Sequence, residues 1–113
     1  MEIDINGVKW LVEAADGETK KLHPKKDRIN LGLTEYCEGI ITIRQGMSES
    51  VTRSTVIHEL IHAFLFSFGY EVNGEESMCN FFGSQADRIM KLTDEIMKGV
   101  NFDADRKGDT ESD

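Results

Sequence analysis

The sequence predicts an α+β fold, in which a β-sheet is built from the first part of the chain and two long helices follow it. Short runs of alternating or β-branched apolar residues fill roughly the first 45 positions. Beyond them, apolar side chains recur with a helical period over two long segments. The chain has 113 residues, which is enough for one small domain. We therefore expect a single domain over residues 1–100.

The strands are expected to form an N-terminal antiparallel sheet. Residues 3–5 and 8–12 alternate apolar and polar side chains on either side of Asn6-Gly7, a dipeptide typical of tight hairpins. A further strand is expected near residues 29–33. Residues 40–44 are short and β-branched, which favours a fourth strand.

The first helix is expected over about residues 48–68. Ser48 or Ser50 can accept hydrogen bonds from the free N–H groups of its first turn, and Gly69 suits the left-handed position after its end. Its buried stripe is expected to contain Ile57, Ile61, Phe64 and Phe68. The histidines of this segment lie on the neighbouring stripe, at the edge of the core.

The second helix is expected over about residues 75–98, with Gly99 as its stop. One stripe carries large apolar residues, namely Met78, Phe82, Ile89, Leu92 and Ile96. The other begins with small residues and contains Cys79, Gly83, Ala86, Met90 and Met97. Small residues let two helices approach closely, and this second stripe extends back to Glu76.

The most informative motif is His58-Glu59-Leu60-Ile61-His62, which reads H-E-x-x-H inside the first helix. Positions i and i+4 share one helix face, so both imidazoles can bind one metal ion. Glu59 lies beside them, where it can take a proton from a metal-bound water without being a ligand. The motif therefore predicts one Zn²⁺ per chain, held by His58 and His62, with Glu59 as the catalytic base.

Catalytic zinc usually has three protein ligands, so a third is needed from elsewhere. No histidine follows His62, which leaves Glu71, Glu75, Glu76 and Cys79. The stripe of small residues favours Glu76, whereas a helical wheel centred on the large apolar residues favours Glu75. We prefer Glu76 and keep Glu75 as the alternative.

The reaction also needs a donor for the oxyanion that forms at the scissile carbonyl. Tyr36 and Tyr70 are candidates, as is His23, although each is an ordinary surface or packing residue on the simpler interpretation. The strand over residues 40–44 either lines the cleft, where a peptide could add to its edge, or is an ordinary strand of the core.

Composition restricts the partners. The formal net charge of −8 argues against nucleic-acid binding through a basic face. We expect no signal peptide, no transmembrane segment and no membrane partner. Two cysteines do not indicate a disulfide framework, which favours a reduced, cytoplasmic compartment. Residues 101–113 are acidic and nearly free of apolar side chains, so we expect a disordered tail. The oligomeric state stays open.

The chain resembles small phage- or prophage-type zinc metallopeptidases related to the ImmA/IrrE and SprT-like groups. The residues that carry the resemblance are Ile5-Asn6-Gly7-Val8, Leu31-Gly32-Leu33-Thr34-Glu35-Tyr36, Gly39-Ile40-Ile41-Thr42-Ile43, the H-E-x-x-H segment from Thr55 to Ala63, and Glu75-Glu76. The resemblance implies a minimal zincin-like domain of the gluzincin type, acting in the host cytoplasm if phage-encoded. It also implies Glu76 as the third ligand, because Cys79, Phe82 and Gly83 follow at the family's spacing.

Three classes of function remain. The first, which we favour, is a zinc-dependent endopeptidase that cuts a protein or peptide substrate. The second is a zinc-bearing protein-binding module with weak or no catalysis, and the third is a hydrolase of small amides. The intact Glu59 favours an active enzyme, because a module without catalysis does not need a general base.

Overall fold

The computed structural model describes residues 1–103 and contains six elements in the order β1 (Glu2–Ile5), β2 (Val8–Ala15), β3 (Gly32–Glu35), β4 (Ile40–Arg44), α1 (Glu49–Phe68) and α2 (Glu75–Gly99). The expected α+β fold is confirmed at this level, with one four-stranded sheet followed by two helices. The expected disordered tail covers residues 101–113, of which residues 104–113 lie outside the described part of the chain.

The sheet is mixed, so the expectation of an antiparallel sheet is wrong. Its strand order is β1-β2-β4-β3. β1 pairs antiparallel with β2, and β3 pairs antiparallel with β4, but β2 and β4 run parallel, with Leu11 opposite Ile40 and Ala15 opposite Arg44. The chain leaves β2, crosses to the far edge to form β3, and returns as β4 between them. This long connection makes the parallel pairing possible.

The first hairpin is confirmed at its expected turn. Asn6 and Gly7 adopt positive φ angles of 51° and 86°, and Ile5 faces Val8 in the ladder. Two central residues with positive φ give the turn the twist of the flanking strands. Asp4 Oδ1 also accepts a hydrogen bond from the Gly7 N–H at 2.8 Å.

The third strand begins later than the sequence indicates. β3 starts at Gly32, whereas Ile29 and Leu31 are exposed, at 56% and 45%. Asn30 explains the shift, because it is tied to the preceding connection rather than to the sheet. Its N–H donates to the Leu22 carbonyl, and its side-chain amide donates to the Lys21 carbonyl. Leu22 itself is fully buried and anchors this connection.

Helix α1 begins and ends where the sequence predicts. Ser48 Oγ accepts from the Val51 N–H at 3.3 Å, and Gly69 has a left-handed φ of 71°. Its most buried face is rotated from the expected stripe and lies on the sheet; it contains Thr52, Thr55, Val56, Glu59, Leu60, Ala63 and Phe64. Ile57, Ile61 and Phe68 are half-buried at the flank of this face.

Helix α2 runs back along α1. Arg53 Nη1 lies 2.8 Å from Asp94 Oδ1 near one end of the pair, and the Tyr70 ring meets the Phe81 ring at 5.1 Å near the other. The buried residues of α2 are Phe81, Gln85, Ile89, Thr93 and Ile96. The predicted stripes are therefore corrected, since Phe82 of the first is exposed, as are Cys79, Gly83 and Met90 of the second.

Phe102, which the sequence assigns to the tail, packs against the hydrophobic core and is half-buried. Its carbonyl accepts a hydrogen bond from the Gly46 N–H at 2.9 Å, which joins the segment after α2 to the turn before α1. Ordered structure therefore extends beyond residue 100, to Asp103 at least. In the described residues, Cys37 and Cys79 are free, and neither helix is long and apolar enough to cross a membrane.

Replacing Phe102 by alanine should lower the thermal midpoint by several degrees. A half-buried phenyl ring contributes about 1–2 kcal/mol through removal of apolar surface from water, and about 1 kcal/mol shifts the midpoint of a small domain by roughly 4–8 °C. Calorimetry of Phe102→Ala beside Glu95→Ala, whose side chain is exposed on α2 and is the control, measures the difference. Equal midpoints for the two variants would contradict the packing of Phe102.

Candidate active site

The two histidines of the motif lie on one open face of α1. Their ring centroids are 5.0 Å apart and their planes meet at 71°. His58 is exposed and His62 is half-buried, so both imidazoles are accessible from solvent. The helix places them there because its buried face, one quarter turn or more away, is held on the sheet.

This spacing fits a shared metal ion. Two imidazoles bound to one zinc ion in a tetrahedral arrangement, with zinc–nitrogen distances of about 2.0–2.1 Å, have ring centres roughly 5 Å apart. The observed separation of 5.0 Å agrees with that distance. His58 and His62 thus form two suitable donors for zinc.

Glu59 occupies a different environment from the histidines beside it. It is only 6% exposed and lies between α1 and the sheet. Thr34 Oγ1 on β3 donates a hydrogen bond of 2.6 Å to Glu59 Oε1 and lies 3.4 Å from the Glu59 carbonyl oxygen. A buried carboxylate needs such partners, because burial without them is costly. The hydrogen bond from Thr34 holds one carboxylate oxygen in place.

Gly32 gives the other carboxylate oxygen its space. A methyl group on Gly32 would lie 2.9 Å from Glu59 Cγ, 2.9 Å from Thr55 Cγ2 and 3.0 Å from Glu59 Oε2. These separations are shorter than carbon atoms tolerate in packed proteins. The absence of a side chain at Gly32 therefore allows α1 to approach β3 closely, as glycine inside a strand often does.

A cleft with a volume of about 350 Å³ opens beside these groups. It is lined by Ile29, Asn30, Leu31, Gly32, Ser54, Thr55, His58 and Glu59. The cleft thus joins one histidine and the buried carboxylate to the segment that enters β3. A larger cavity, of about 510 Å³, lies between the start of α1 and the end of α2 and contains no residue of the motif.

The strand beside the cleft is β3, not β4. β4 pairs with β2 on one side and with β3 on the other, so residues 40–44 are the interior strand of the two alternatives and offer no free edge. β3 is the edge strand. The Leu31 carbonyl accepts a hydrogen bond from the Arg44 N–H, so Leu31 and Arg44 form a hydrogen-bonded pair. In an antiparallel ladder such pairs alternate with pairs that are not hydrogen-bonded. The main-chain groups of Gly32 and Thr34 therefore point away from β4.

The structure does not bring a third ligand to the histidines. Within residues 1–103, no three His, Cys, Asp or Glu side chains are grouped so that they could hold a metal ion. Glu71, Glu75, Glu76 and Cys79 are all exposed. The Arg53–Asp94 pair marks one level that α1 and α2 share. With a rise of about 1.5 Å per residue, Glu76 on α2 lies roughly 13 Å further from that level than His62 on α1 does. The role of Glu76 or Glu75 stays a prediction.

The candidate oxyanion donors have different surroundings. Tyr36 follows β3, and its ring lies 5.1 Å from that of Phe66, one helical turn beyond His62. The Tyr70 hydroxyl instead meets Ser84 Oγ at 3.3 Å on α2, and hydrogen bonds from Ser84 and Gln85 lower the pKa of Tyr70. His23 lies in the β2–β3 connection, 3.2 Å from Glu18. Of the three, Tyr36 contacts a residue of the open face of α1, namely Phe66.

Thr34 and Gly32 are the two site residues that the sequence interpretation did not identify as such. A glycine within a predicted strand is a signal of close approach by another group, and it could have indicated Gly32. Nothing local distinguishes Thr34 from any other threonine in a strand. Its role appears only when α1 is laid on the sheet.

Comparisons of the chain with protein-family models, with curated proteins and with solved structures find no match. The resemblance to zinc metallopeptidases therefore depends on the residues that carry it and on the geometry described above.

Replacing Gly32 by alanine should destabilise the protein by about 1–3 kcal/mol, the usual cost of forcing extra atoms into a packed site. Gly83→Ala is the matched control, because nothing lies within 4 Å of a methyl group there. Alanine at this exposed helical position should stabilise by about 0.5–1 kcal/mol. Denaturant titration of both variants checks the pair, and a neutral Gly32→Ala would contradict the close approach of Glu59.

Proposed function

We propose that this protein is a zinc-dependent hydrolase of peptide bonds, with Glu59 as its general base. The observation that carries the proposal is the pairing of His58 and His62 at 5.0 Å on an open helix face, beside the buried and hydrogen-bonded carboxylate of Glu59. The same arrangement supports a zincin-like fold, in which a helix with this motif lies on a sheet with a free edge.

His58 and His62 would hold the metal through their imidazole nitrogens. Bound zinc would supply a water of lowered pKa, near 7, and would polarise the scissile carbonyl. By the resemblance, Glu76 would be the third ligand, which requires the first turn of α2 to lie nearer to His62 than it does in this structure. Glu75 is the alternative from the same turn.

Glu59 would accept the proton of the attacking water and return it to the leaving amine. Thr34 occupies Oε1, so Oε2, on the side of Gly32, is the oxygen available for this transfer. The hydrogen bond from Thr34 also restricts rotation of the carboxylate, which keeps the base oriented before substrate arrives. Tyr36 and Tyr70 are the candidates for the oxyanion donor that this reaction requires.

The edge of β3 would hold the substrate. Gly32 and Thr34 direct main-chain N–H and C=O groups toward open space next to the cleft. An extended peptide can pair with such an edge through its own backbone, independent of its sequence. A peptide paired with this edge would have a peptide bond beside the histidine face, which supports a peptide, rather than a small amide, as the substrate.

The purified protein should bind about one zinc ion per chain, and His58→Ala should remove most of that binding. The control is His23→Ala, because His23 is the one histidine outside the motif and lies in a loop, where it contacts Glu18. Elemental analysis after dialysis against a weak chelator gives the stoichiometry. Equal zinc contents in the wild type and in His58→Ala would exclude this metal site.

The same measurement distinguishes the candidate third ligands. Glu76→Ala should weaken zinc binding strongly, whereas Glu75→Ala should leave it almost unchanged, because only one of two adjacent helical side chains faces a given direction. The reverse result would assign the third ligand to Glu75. Full zinc affinity in both variants would show that neither glutamate is a ligand.

Glu59→Gln should keep the fold and the zinc but reduce cleavage by about 10² to 10⁴-fold, the usual contribution of a general base. The amide has nearly the same shape and can still accept from Thr34, so packing is preserved. A mixture of unfolded proteins, incubated with each form and analysed by mass spectrometry, provides the assay. Equal cleavage by both forms would reject Glu59 as the base. No cleavage by either, with zinc present in both, would favour the zinc-bearing binding module.

A further inference from the structure

Two aromatic rings lie exposed at one end of the histidine face. Tyr36 is 42% exposed and Phe66 is 50% exposed, with their ring centroids 5.1 Å apart. Both rest edge-on against the buried Trp10 ring, at 6.5 and 6.0 Å. Trp10 is itself fixed by a hydrogen bond of 2.9 Å from its indole N–H to Ser67 Oγ. We refer to Tyr36 and Phe66 as the aromatic shelf.

The aromatic shelf is continuous with the proposed active site. Phe66 lies four residues after His62 and eight after His58, so all three share one face of α1. Exposed aromatic rings that are held rigidly from beneath lose little conformational freedom when a ligand covers them. The shelf therefore offers a preformed apolar surface on the histidine face of α1, beside the end of β3.

The opposite end of the cleft adjoins a basic loop. Residues 20–28 hold five of the 13 lysines and arginines of the chain but only one of its 21 acidic residues. The loop is anchored, because Leu22 is fully buried and its carbonyl accepts from the Asn30 N–H. Arg28 directly precedes Ile29, which lines the cleft.

Most of the charge of the basic loop is uncompensated. Lys21 pairs with Glu35 at 2.9 Å, which raises the pKa of Lys21. The other four cations of residues 20–28 are exposed, and none has an ion-pair partner within residues 1–103; they are Lys20, Lys25, Lys26 and Arg28. The chain has a net charge of −8, yet this loop is locally positive, so it attracts a negatively charged group of a ligand.

The two ends differ in charge as well as in shape. Glu38, two residues after Tyr36 in the β3–β4 turn, is exposed and negative, whereas the basic loop carries four cations that are unpaired within residues 1–103. Between the two ends, the edge of β3 offers main-chain hydrogen bonds that do not distinguish sequences. Selectivity must therefore come from the shelf and the basic loop.

We propose that the cleft binds an extended peptide segment with a large apolar side chain on the aromatic shelf and acidic residues at the basic loop. This inference rests on the proposed function in taking the histidine face as the place of the scissile bond. From the middle of the histidine pair to Phe66, the helix rises roughly 9 Å, which equals about three residues of extended chain. The apolar residue thus lies about three residues from the cut, and the acidic residues lie on its other side.

The test measures binding without cleavage, using the full chain carrying Glu59→Gln and loaded with zinc. The probe is a fluorescent twelve-residue peptide with one phenylalanine and three glutamates about six residues further along, made also in reversed order. Substituting its phenylalanine by alanine, or its glutamates by lysine, should each weaken binding about tenfold. Whichever of the two peptides, forward or reversed, binds with the higher affinity shows the direction in which the peptide lies in the cleft.

Variants of the protein assign each effect to its end of the cleft. Phe66→Ala should remove the preference for phenylalanine over alanine in the peptide. Leu11→Ala, which is 43% exposed on β2, should not. Lys25→Glu combined with Arg28→Glu should remove the preference for glutamate over lysine, while the exposed Lys91→Glu on α2 should leave it unchanged. Circular dichroism confirms that each variant is folded.

Some results would overturn the inference. Equal affinity for the phenylalanine and alanine peptides, or for the acidic and basic peptides, excludes the proposed selectivity. So does tighter binding of a single-stranded oligonucleotide, since cations and aromatic rings also suit nucleic acid. Selective binding combined with no cleavage by the wild type would sustain this inference and reject the hydrolase. Cleavage of unfolded proteins by the wild type without these preferences would support the hydrolase and reject this inference.

Discussion

The position of α1 on the sheet is the constraint on which the rest of this structure depends. Its face of Val56, Leu60 and Ala63 is fully buried against the sheet. Because successive helical residues are separated by about 100°, burying this face leaves the adjacent one, with His58 and His62, open to solvent. The apolar contact thus sets the orientation of the polar site, although Val56, Leu60 and Ala63 take no part in the proposed chemistry.

Glu59 lies at the border between these two faces, and it shows how the fold supports a charged group at the edge of its core. The side chain is 6% exposed, yet it accepts a hydrogen bond from Thr34 and lies over Gly32, where no side chain competes for space. Removing either feature would leave the carboxylate without a partner or without room. A structural role alone does not require a carboxylate here, since an apolar residue would pack with less cost.

The parallel pairing of β2 and β4 has a consequence for the site. Because β4 lies between β2 and β3, the edge of the sheet belongs to β3, and β3 is the strand that contacts Glu59. The same topology requires the long connection over residues 16–31, which carries the basic loop to one end of the cleft. The turn from β3 to β4 carries Tyr36 to the other end, beside Phe66. The strand order therefore assembles the cleft from segments that are distant in sequence.

Local patterns were sufficient for the elements whose signals lie within a few residues of one another. Asn6-Gly7 predicts its hairpin, Ser48 and Gly69 predict the ends of α1, and the spacing of His58 and His62 predicts their shared face. Each depends on backbone conformation or helical period, which neighbouring residues determine. The order of the strands in the sheet is not determined by neighbouring residues, since the pattern of residues 40–44 predicts a strand whether it lies at an edge or in the middle.

Tertiary structure decided what depends on contacts between distant segments. Periodicity could not distinguish Phe81 from Phe82, because adjacent aromatic residues fit two wheels equally well and only the docking of α2 buries the first. Composition assigned Phe102 to the tail, but one apolar side chain with a site on the core is enough to order its neighbours. The link from Thr34 to Glu59 joins residues 25 positions apart, so it could not be read from either segment. The sequence by itself determined which groups are available for chemistry, while the packing of α1 against β3 decided which of them meet.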